Sequence, residues 1–228
     1  MKITFLGTGA GASIGTKRVK SGILINDSVL FDLGPGADLR IEDLRIHPNA
    51  LFITHLHIDH FSGVFEYLVQ RKIRQIPELE IYSPNGFSNV LNAYVNAGNN
   101  ISAKVYEKEL PEGKINELEI HAVRACHSIY AVSYIISDGN TRVLYTGDTK
   151  EPCDTILDNV KDVDLIIHES TCIDNCGNWG HTSIKQILNI FKDKKVVVTH
   201  IPVDIEEKII SLVNNKILVA FDGLTLNV

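Results

Sequence analysis

The run ITHLHIDHFSG, residues 53–63, sets three histidines and an aspartate within six positions: His55, His57, Asp59 and His60. Imidazole nitrogen and carboxylate oxygen suit borderline divalent metals such as zinc. In an extended backbone His55 and His57 point the same way, and a following turn redirects Asp59 and His60 to a neighbouring point. One ion could take the first pair and a second ion the other. Each then needs ligands from elsewhere, and His127, Asp148 and His200 are the candidates, each at the end of an apolar strand. A single histidine in such a place is more often a hydrogen-bonded core or surface residue. Four such groups within six positions, beside apolar strands, need polar partners that a metal would supply.

The elements that must carry these groups are short apolar strands interspersed with amphipathic helices. KITFLG, SGILIN and SVLFDLG read as strands, the last two joined by a hairpin turn. ALFITHLH is a buried strand with the histidines at its C-terminal end. DHFSGVFEYLVQRKIRQ has helical spacing of Phe61, Val64, Phe65, Leu68 and Val69. LEIYSP is a strand, and GFSNVLNAYVNAG a helix closed by Gly98. In the second half, AKVYEKEL and LEIHAVRACHS precede a hairpin around Asp138-Gly139-Asn140. DLIIHES and KVVVTHI are buried strands, HTSIKQILNIFKD and DIEEKIISLVNN are helices, and KILVAFDGLTLNV closes the chain as a strand pair. Two packed sheets with helices outside are expected, with His55, Asp148, His168 and His200 brought by four strand ends to one edge.

The chain has 228 residues, 44% of them hydrophobic and 22% charged, enough for a substantial core without staples. The net charge of −6 gives no overall nucleic-acid footprint. No signal-peptide pattern and no membrane-spanning apolar run is visible, so a cytoplasmic protein with no membrane partner is expected. Cys126, Cys153, Cys172 and Cys176 do not form a dense secreted framework and are expected to be free thiols.

THLHIDH resembles the His-x-His-x-Asp-His signature of the metallo-β-lactamase-fold hydrolases. FLGTGAG, VLFDLGPG, ACHS, YTGDT and VVVTHI are similar to other motifs of that superfamily in the same chain order. The resemblance implies an α/β, αββα layered sandwich formed by residues 1–228 as one domain, with a two-metal site at one edge. Carried over, His55, His57 and His127 would take one ion, and Asp59, His60 and His200 the other. Asp148 would bridge them. The implied cofactors are two divalent metal ions, zinc first, with manganese and iron also acceptable to these donors. Histidine at position 57 favours a hydrolase over the diiron flavoprotein branch, and aspartate at position 148 suits phosphodiester hydrolysis by coupled metals.

IIHEST (166–171) and WGHTS (179–183) resemble two loops of the ribonuclease Z branch. That likeness implies a leaving-group acid, His181, oriented by Glu169. In the mechanism expected from it, Asp59 accepts the proton of the attacking metal-bound water or orients that water. Residues 182 and 183 also read as a helix cap. Ribonuclease Z enzymes usually carry a long tRNA-clamping arm between the third histidine and the bridging aspartate. Here one hairpin fills His127 to Asp148, and Ile201-Pro202-Val203 replaces a polar continuation after the last histidine. The expected substrate is therefore a small phosphodiester or a short nucleic acid. The alternatives are tRNA 3′ endonuclease activity, thioester or lactone hydrolysis, and a non-catalytic binding module. Relatives of this type are often dimers, which admits a homodimer.

Three further features bear on function. Arg71, Lys72 and Arg74 form a local basic patch that either flanks the site or ends a helix favourably. GTGAGAS has dinucleotide-like glycine spacing, but no helix follows, so it reads as a tight loop near the metal edge. Trp179 lines a base pocket or covers the core.

Overall fold

The computed structural model describes residues 1–11, 17–213 and 215–228. Part of the GTGAGAS loop therefore lies outside the described residues. Fourteen strands are present among them: β1 (Lys2–Gly7), β2 (Gly22–Ile25), β3 (Val29–Leu33), β4 (Ala50–Phe52), β5 (Glu80–Ser83), β6 (Lys104–Glu107), β7 (Glu112–Ile115), β8 (Leu118–Arg124), β9 (Val132–Ser137), β10 (Arg142–Tyr145), β11 (Leu165–Glu169), β12 (Val196–Thr199), β13 (Ile217–Val219) and β14 (Thr225–Asn227). They form two seven-stranded sheets, ordered β14-β1-β2-β3-β4-β5-β6 and β13-β12-β11-β10-β9-β8-β7. The helices are α1 (Ala37–Leu44), α2 (Ile58–Phe61), α3 (Gly63–Ile73), α4 (Phe87–Asn96), α5 (Asp154–Asn159), α6 (Ile184–Ile190) and α7 (Glu206–Leu212).

Strand alternation builds the layers. Phe31, Phe52, Ile167 and Val197 face the interior between the sheets, where they meet Tyr134 and Val143. Their neighbours Leu30 and Leu51 face outward onto Ile41, Val64, Leu68 and Phe87 of the helices. Ile166, Val196 and Val198 do the same against Ile156, Ile184, Ile187 and Ile209. Period-two side-chain placement with both faces apolar explains why these strands read as unbroken hydrophobic runs. Each fully buried leucine or phenylalanine contributes about 1.5–3 kcal/mol. The architecture is the expected αββα sandwich.

Each sheet is antiparallel on one side and parallel on the other. β3 to β6 run parallel, as do β10 to β13. The C-terminal ends of the parallel strands are the natural location for a site.

Two local expectations differ from the structure. The signature helix is broken at Ser62 into α2 and α3, because a single turn must re-aim Asp59 and His60 before the long helix starts. The last two strands do not pair with each other: β13 pairs with β12, and β14 crosses to the other sheet to pair with β1. Both hairpins hold. The three-residue β2–β3 connection, 26–28, places Asn26 and Asp27 at positive φ, and the Ser28 N–H bonds the Ile25 carbonyl at 3.1 Å.

The expectation of free thiols is corrected. Cys126 is disulfide-bonded to Cys153, and Cys172 to Cys176. The end of β8 meets the start of α5, bringing the first pair of Cα atoms to 5.9 Å, within disulfide reach. A sequence separation of 27 carries no sign of that meeting. No helix among the described residues is long and apolar enough to cross a membrane.

Candidate metal centre

β4 ends at Phe52, and the chain continues extended through His55 and His57. His57 caps α2 with extended backbone, and the His60 N–H bonds the His57 carbonyl at 3.0 Å. That one turn divides the four ligand-type groups as their spacing predicts. His57 Nδ1 lies 3.1 Å from His55 Nε2 and 3.0 Å from His127 Nε2, which arrives from the loop after β8. Asp59 Oδ2 lies 3.6 Å from His60 Nε2 and 3.1 Å from His200 Nε2. His200 follows β12 at a φ of 53°, a left-handed conformation that aims its ring into the edge.

Asp148, after β10, stands between the two groups. Its Oδ2 is 3.7 Å from His55 Nε2 and 3.9 Å from His127 Nε2, while its Oδ1 is 3.2 Å from His60 Nε2 and 3.5 Å from His200 Nε2. One carboxylate thus turns one oxygen to each cluster. The donor atoms of His55, His57, His127 and Asp148 lie within 4.8 Å of one another, as do those of Asp59, His60 and His200. Among the described residues, Asp148 Oδ1 and His60 Nε2 are buried without a hydrogen-bond partner, which is costly unless a cation satisfies them. The donor chemistry and these two orphaned atoms fit a pair of divalent ions.

Electrostatics agree. Burial, followed by the charge of neighbouring histidines, lowers the pKa values of His55 and His57 and keeps them in the neutral, ligating form; His127 is lowered by burial. Burial would raise the Asp148 carboxyl, but His200, His60 and His55 hold it well below the usual carboxylate range. Asp59 is likewise lowered against its burial, by His200 and His60. Burial would lower His60, but Asp148 and Asp32 raise it well above the ordinary imidazole value.

An outer ring fixes the imidazoles. Asp32, at the end of β3 with a φ of 55°, takes His60 Nδ1 at 2.7 Å, the Thr54 N–H at 2.8 Å and the Tyr145 hydroxyl at 2.8 Å. The Thr54 hydroxyl donates to Asp32 and so accepts from His55 Nδ1 at 3.0 Å. The Gly180 carbonyl accepts from His127 Nδ1 at 2.8 Å. The Thr171 hydroxyl donates to Glu169 and accepts from His200 Nδ1 at 2.9 Å. Four rings therefore turn Nε2 inward, and His57 alone presents Nδ1. Such partners orient ligands and raise their basicity. Sequence reasoning missed Thr54, Thr171, Tyr145 and Gly180 as site residues. Asp32 stood in a recognised motif without a role, and the Thr neighbouring a His or Glu was the only local signal.

His181 and Glu169 come together. His181 Nδ1 is 2.9 Å from Glu169 Oε1 and 3.8 Å from Asp148 Oδ2. Burial would lower His181, but the hydrogen bond and charge of Glu169, with Asp148, raise its pKa to about 9. Ser183 caps α6 in a reciprocal box with Gln186, so the helix start positions His181 without using it as the cap.

The other readings resolve differently. His168 lies within β11, fully buried, with Nδ1 on the Glu169 carbonyl, and among the described residues it joins none of the His/Asp groups that could hold an ion. The basic run 70–75 is structural: Arg71 is buried against the Pro48 and Pro77 carbonyls, Lys72 meets Asn100, and Arg74 pairs with Glu42. Trp179 is 73% exposed and does not cover the core.

Comparison with known proteins places this arrangement. The model of the β-lactamase superfamily domain matches residues 28–201. Ribonuclease Z of Streptococcus thermophilus is 32% identical over 152 residues, covering 59% of this chain and 49% of that protein, so the chain spans about half the length of that relative. Ribonuclease Z of Methanosarcina acetivorans is 26% identical over 270 aligned positions, covering 88% of this chain and 87% of that protein. That alignment is longer than the 228-residue chain, so the archaeal relative holds inserted segments that this chain lacks. Among solved structures, human tRNase Z, short form, superposes with a TM-score of 0.82 at 21% identity, covering 100% of this chain and 99% of that one. A diphosphatase of the PhnP family superposes at 0.81 with 17% identity, covering 100% and 97%. With 174 of its residues matched, a span that includes both His/Asp clusters and Asp148, the chain belongs to the β-lactamase superfamily domain family of metallo-β-lactamase-fold hydrolases.

Proposed function

We propose that residues 1–228 form one hydrolase domain, a dinuclear metal-dependent phosphodiesterase acting on a small phosphodiester or a short nucleic acid. The observation that carries this reading is the position of Asp148, one oxygen turned to each histidine cluster, with His181 3.8 Å away. His55, His57 and His127 would hold one ion and Asp59, His60 and His200 the other. Zinc suits this donor set best, and manganese or iron is acceptable to it. Bound divalent ions supply Lewis acidity and lower the pKa of water towards neutrality.

The chain's own residues do the rest. Asp59, with Oδ2 3.1 Å from His200 Nε2, would orient the attacking water and accept its proton. Glu169 holds His181 Nδ1, which leaves Nε2 as the end that donates a proton to the leaving oxygen. Thr149 N–H and Thr171 hold the Glu169 carboxylate in turn. An alkoxide leaving group needs such a proton, whereas a thiolate does not, and this favours an oxygen ester over a thioester.

A second reading, tRNA 3′ endonuclease activity, is favoured by the name its relatives carry. Against it, the segment between His127 and Asp148 is taken up by β9 and β10. A metal-reconstituted screen against cyclic nucleotides, short oligonucleotides, pre-tRNA, lactones and thioesters, with Asp59→Ala as control, tests the reading. Cleavage of small phosphodiesters supports it; turnover confined to a lactone or thioester contradicts it.

A further inference from the structure

The loop that carries His181 is closed by a disulfide. Cys172 and Cys176 are bonded across a sequence separation of 4. Cys172 is fixed against the start of α6. It bridges Ser183, its carbonyl accepts the Ile184 N–H at 2.9 Å, and Thr171 before it donates its N–H to the Thr182 carbonyl at 3.2 Å. From Cys176 the chain turns back through a 3-10 turn, Gly177–Trp179, to His181. The Cys176 carbonyl accepts the Trp179 N–H at 2.9 Å and the His181 N–H at 3.4 Å. Gly180, at a φ of 81°, gives its own carbonyl to His127 Nδ1 at 2.8 Å. The S–S bond therefore joins the segment of Thr171, which holds Glu169 and His200, to the carbonyl that holds the His181 backbone.

This bond acts on the loop more than on the fold. It closes a short segment and so restrains the unfolded chain less than Cys126–Cys153, whose separation is 27. Between its cysteines, Asp174 and Asn175 are exposed, and Asn175 turns the chain at a φ of 50°. An exposed ion pair, Lys185 Nζ to Asp174 Oδ2 at 2.6 Å, spans the same gap and adds little in water. Cys176 is buried and Cys172 half-buried, so the Cys172 sulfur is the one that a reductant reaches.

We propose that Cys172–Cys176 is a redox modification site that sets the placement of His181, with a dithiol reductant as its partner. A thiolate of the dithiol attacks the Cys172 sulfur, the S–S bond breaks, and Cys176 leaves as a thiolate that takes a proton from water. The second thiol of the reductant then attacks the mixed disulfide and releases Cys172. Two electrons pass to the protein, which gains two thiols, and the dithiol becomes a disulfide. Where thiols are kept reduced, disulfides of this kind are transient and redox-sensing. Glu169 still holds His181 Nδ1 at 2.9 Å after reduction, so the acid is loosened and not removed. The inference rests on the phosphodiesterase reading for the reaction that the loop controls.

The test compares the oxidised chain, the chain reduced by dithiothreitol, the reoxidised chain, and the double variant Cys172→Ser/Cys176→Ser. Mass spectrometry of alkylated peptides maps which pair has opened. Trp179, the only tryptophan, lies in this loop, so its fluorescence anisotropy reads loop mobility in metal-free protein. Turnover is read at saturating zinc, after the reductant is removed, on phosphodiesters with alkyl and with p-nitrophenyl leaving groups. The expected result is lower Trp179 anisotropy on reduction. Turnover of the alkyl ester falls by about 10-fold, less than the loss of an acid costs, while the p-nitrophenyl ester stays within about twofold. Reoxidation restores both readouts, and the double variant behaves as the reduced chain and no longer responds. Unchanged anisotropy and turnover after mapped reduction overturn the proposal. So does a double variant that still responds, or a 172–176 pair that opens only when the chain unfolds, which would make the bond a structural brace. If the oxidised chain cleaves no phosphodiester while the anisotropy still follows reduction, the activity assignment fails and the redox-sensitive loop stands.

Discussion

Glu169 Oε1 lies 2.9 Å from His181 Nδ1, and the same oxygen accepts the Thr149 N–H one residue past Asp148. The proposed proton donor and the residue after the proposed bridging carboxylate are therefore braced by one buried side chain. Replacing His181 with Ala should lower turnover by about 10²- to 10⁴-fold on a phosphodiester with an alkyl leaving group. The loss should be much smaller with p-nitrophenolate, which leaves without a proton. Metal content should not change. Equal losses on both substrates would remove His181 from the acid role.

The His181–Glu169 pair also predicts a pH-dependent stability in metal-stripped protein. Divalent ions would add positive charge beside Asp148 and lower the His181 pKa, so the stripped form is the informative sample. Burial alone would lower His181, but Glu169 and Asp148 raise it to about 9. A folded-state pKa above the unfolded value of about 6.5 stabilises fully below that value, and the stabilisation fades as pH rises through about 9. The upper limit is roughly 3 kcal/mol. The melting-temperature gap between wild type and His181→Ala should be widest near pH 6 and close by about pH 10. A gap that widens with pH has the wrong sign for this pair.

Thr171 links His200 Nδ1 to Glu169 through one hydroxyl. Thr171→Val keeps the volume and removes the link, so affinity for the ion on the Asp59 side should fall by about 10- to 100-fold. Thr171→Ser should recover most of it. Competition with a chromophoric chelator reads both, and an unchanged affinity in the valine variant would make the link incidental.

The disulfides make a prediction that the composition did not suggest. The denatured, unreduced chain should show none of its four cysteines as free thiols. Reduction should cost roughly 3.5 kcal/mol through the Cys126–Cys153 loop and less through the short Cys172–Cys176 loop. Four titratable thiols before reduction would contradict the pairing.

Much of this site was legible because ligand chemistry is local in the chain. His55, His57, Asp59 and His60 announce themselves by spacing, and alternation followed by a single turn decides which pairs with which. The layers were legible for a similar reason, since runs such as VVVT and LFIT are apolar on both faces. What could not be read depends on contacts between distant segments. Asp32 meets His60 across 28 positions and Tyr145 across 113. Cys126 meets Cys153 only because β8 ends beside α5. The crossing of β14 to β1 has no local signal, because a short strand carries no mark of the edge it will join. Arg71 read either as flanking the site or as ending a helix favourably, and the Pro48 and Pro77 carbonyls that bury it lie outside its own helix.

The central claim is that Asp148 couples two metal ions into one phosphodiesterase centre. Its most direct test is to titrate the metal-stripped chain with zinc while following turnover of bis-p-nitrophenyl phosphate. The account predicts that turnover appears only as the second ion per chain binds, and that Asp148→Asn neither holds the pair nor turns over. Full activity at one ion per chain, or two bound ions with no phosphodiester cleaved, would contradict it.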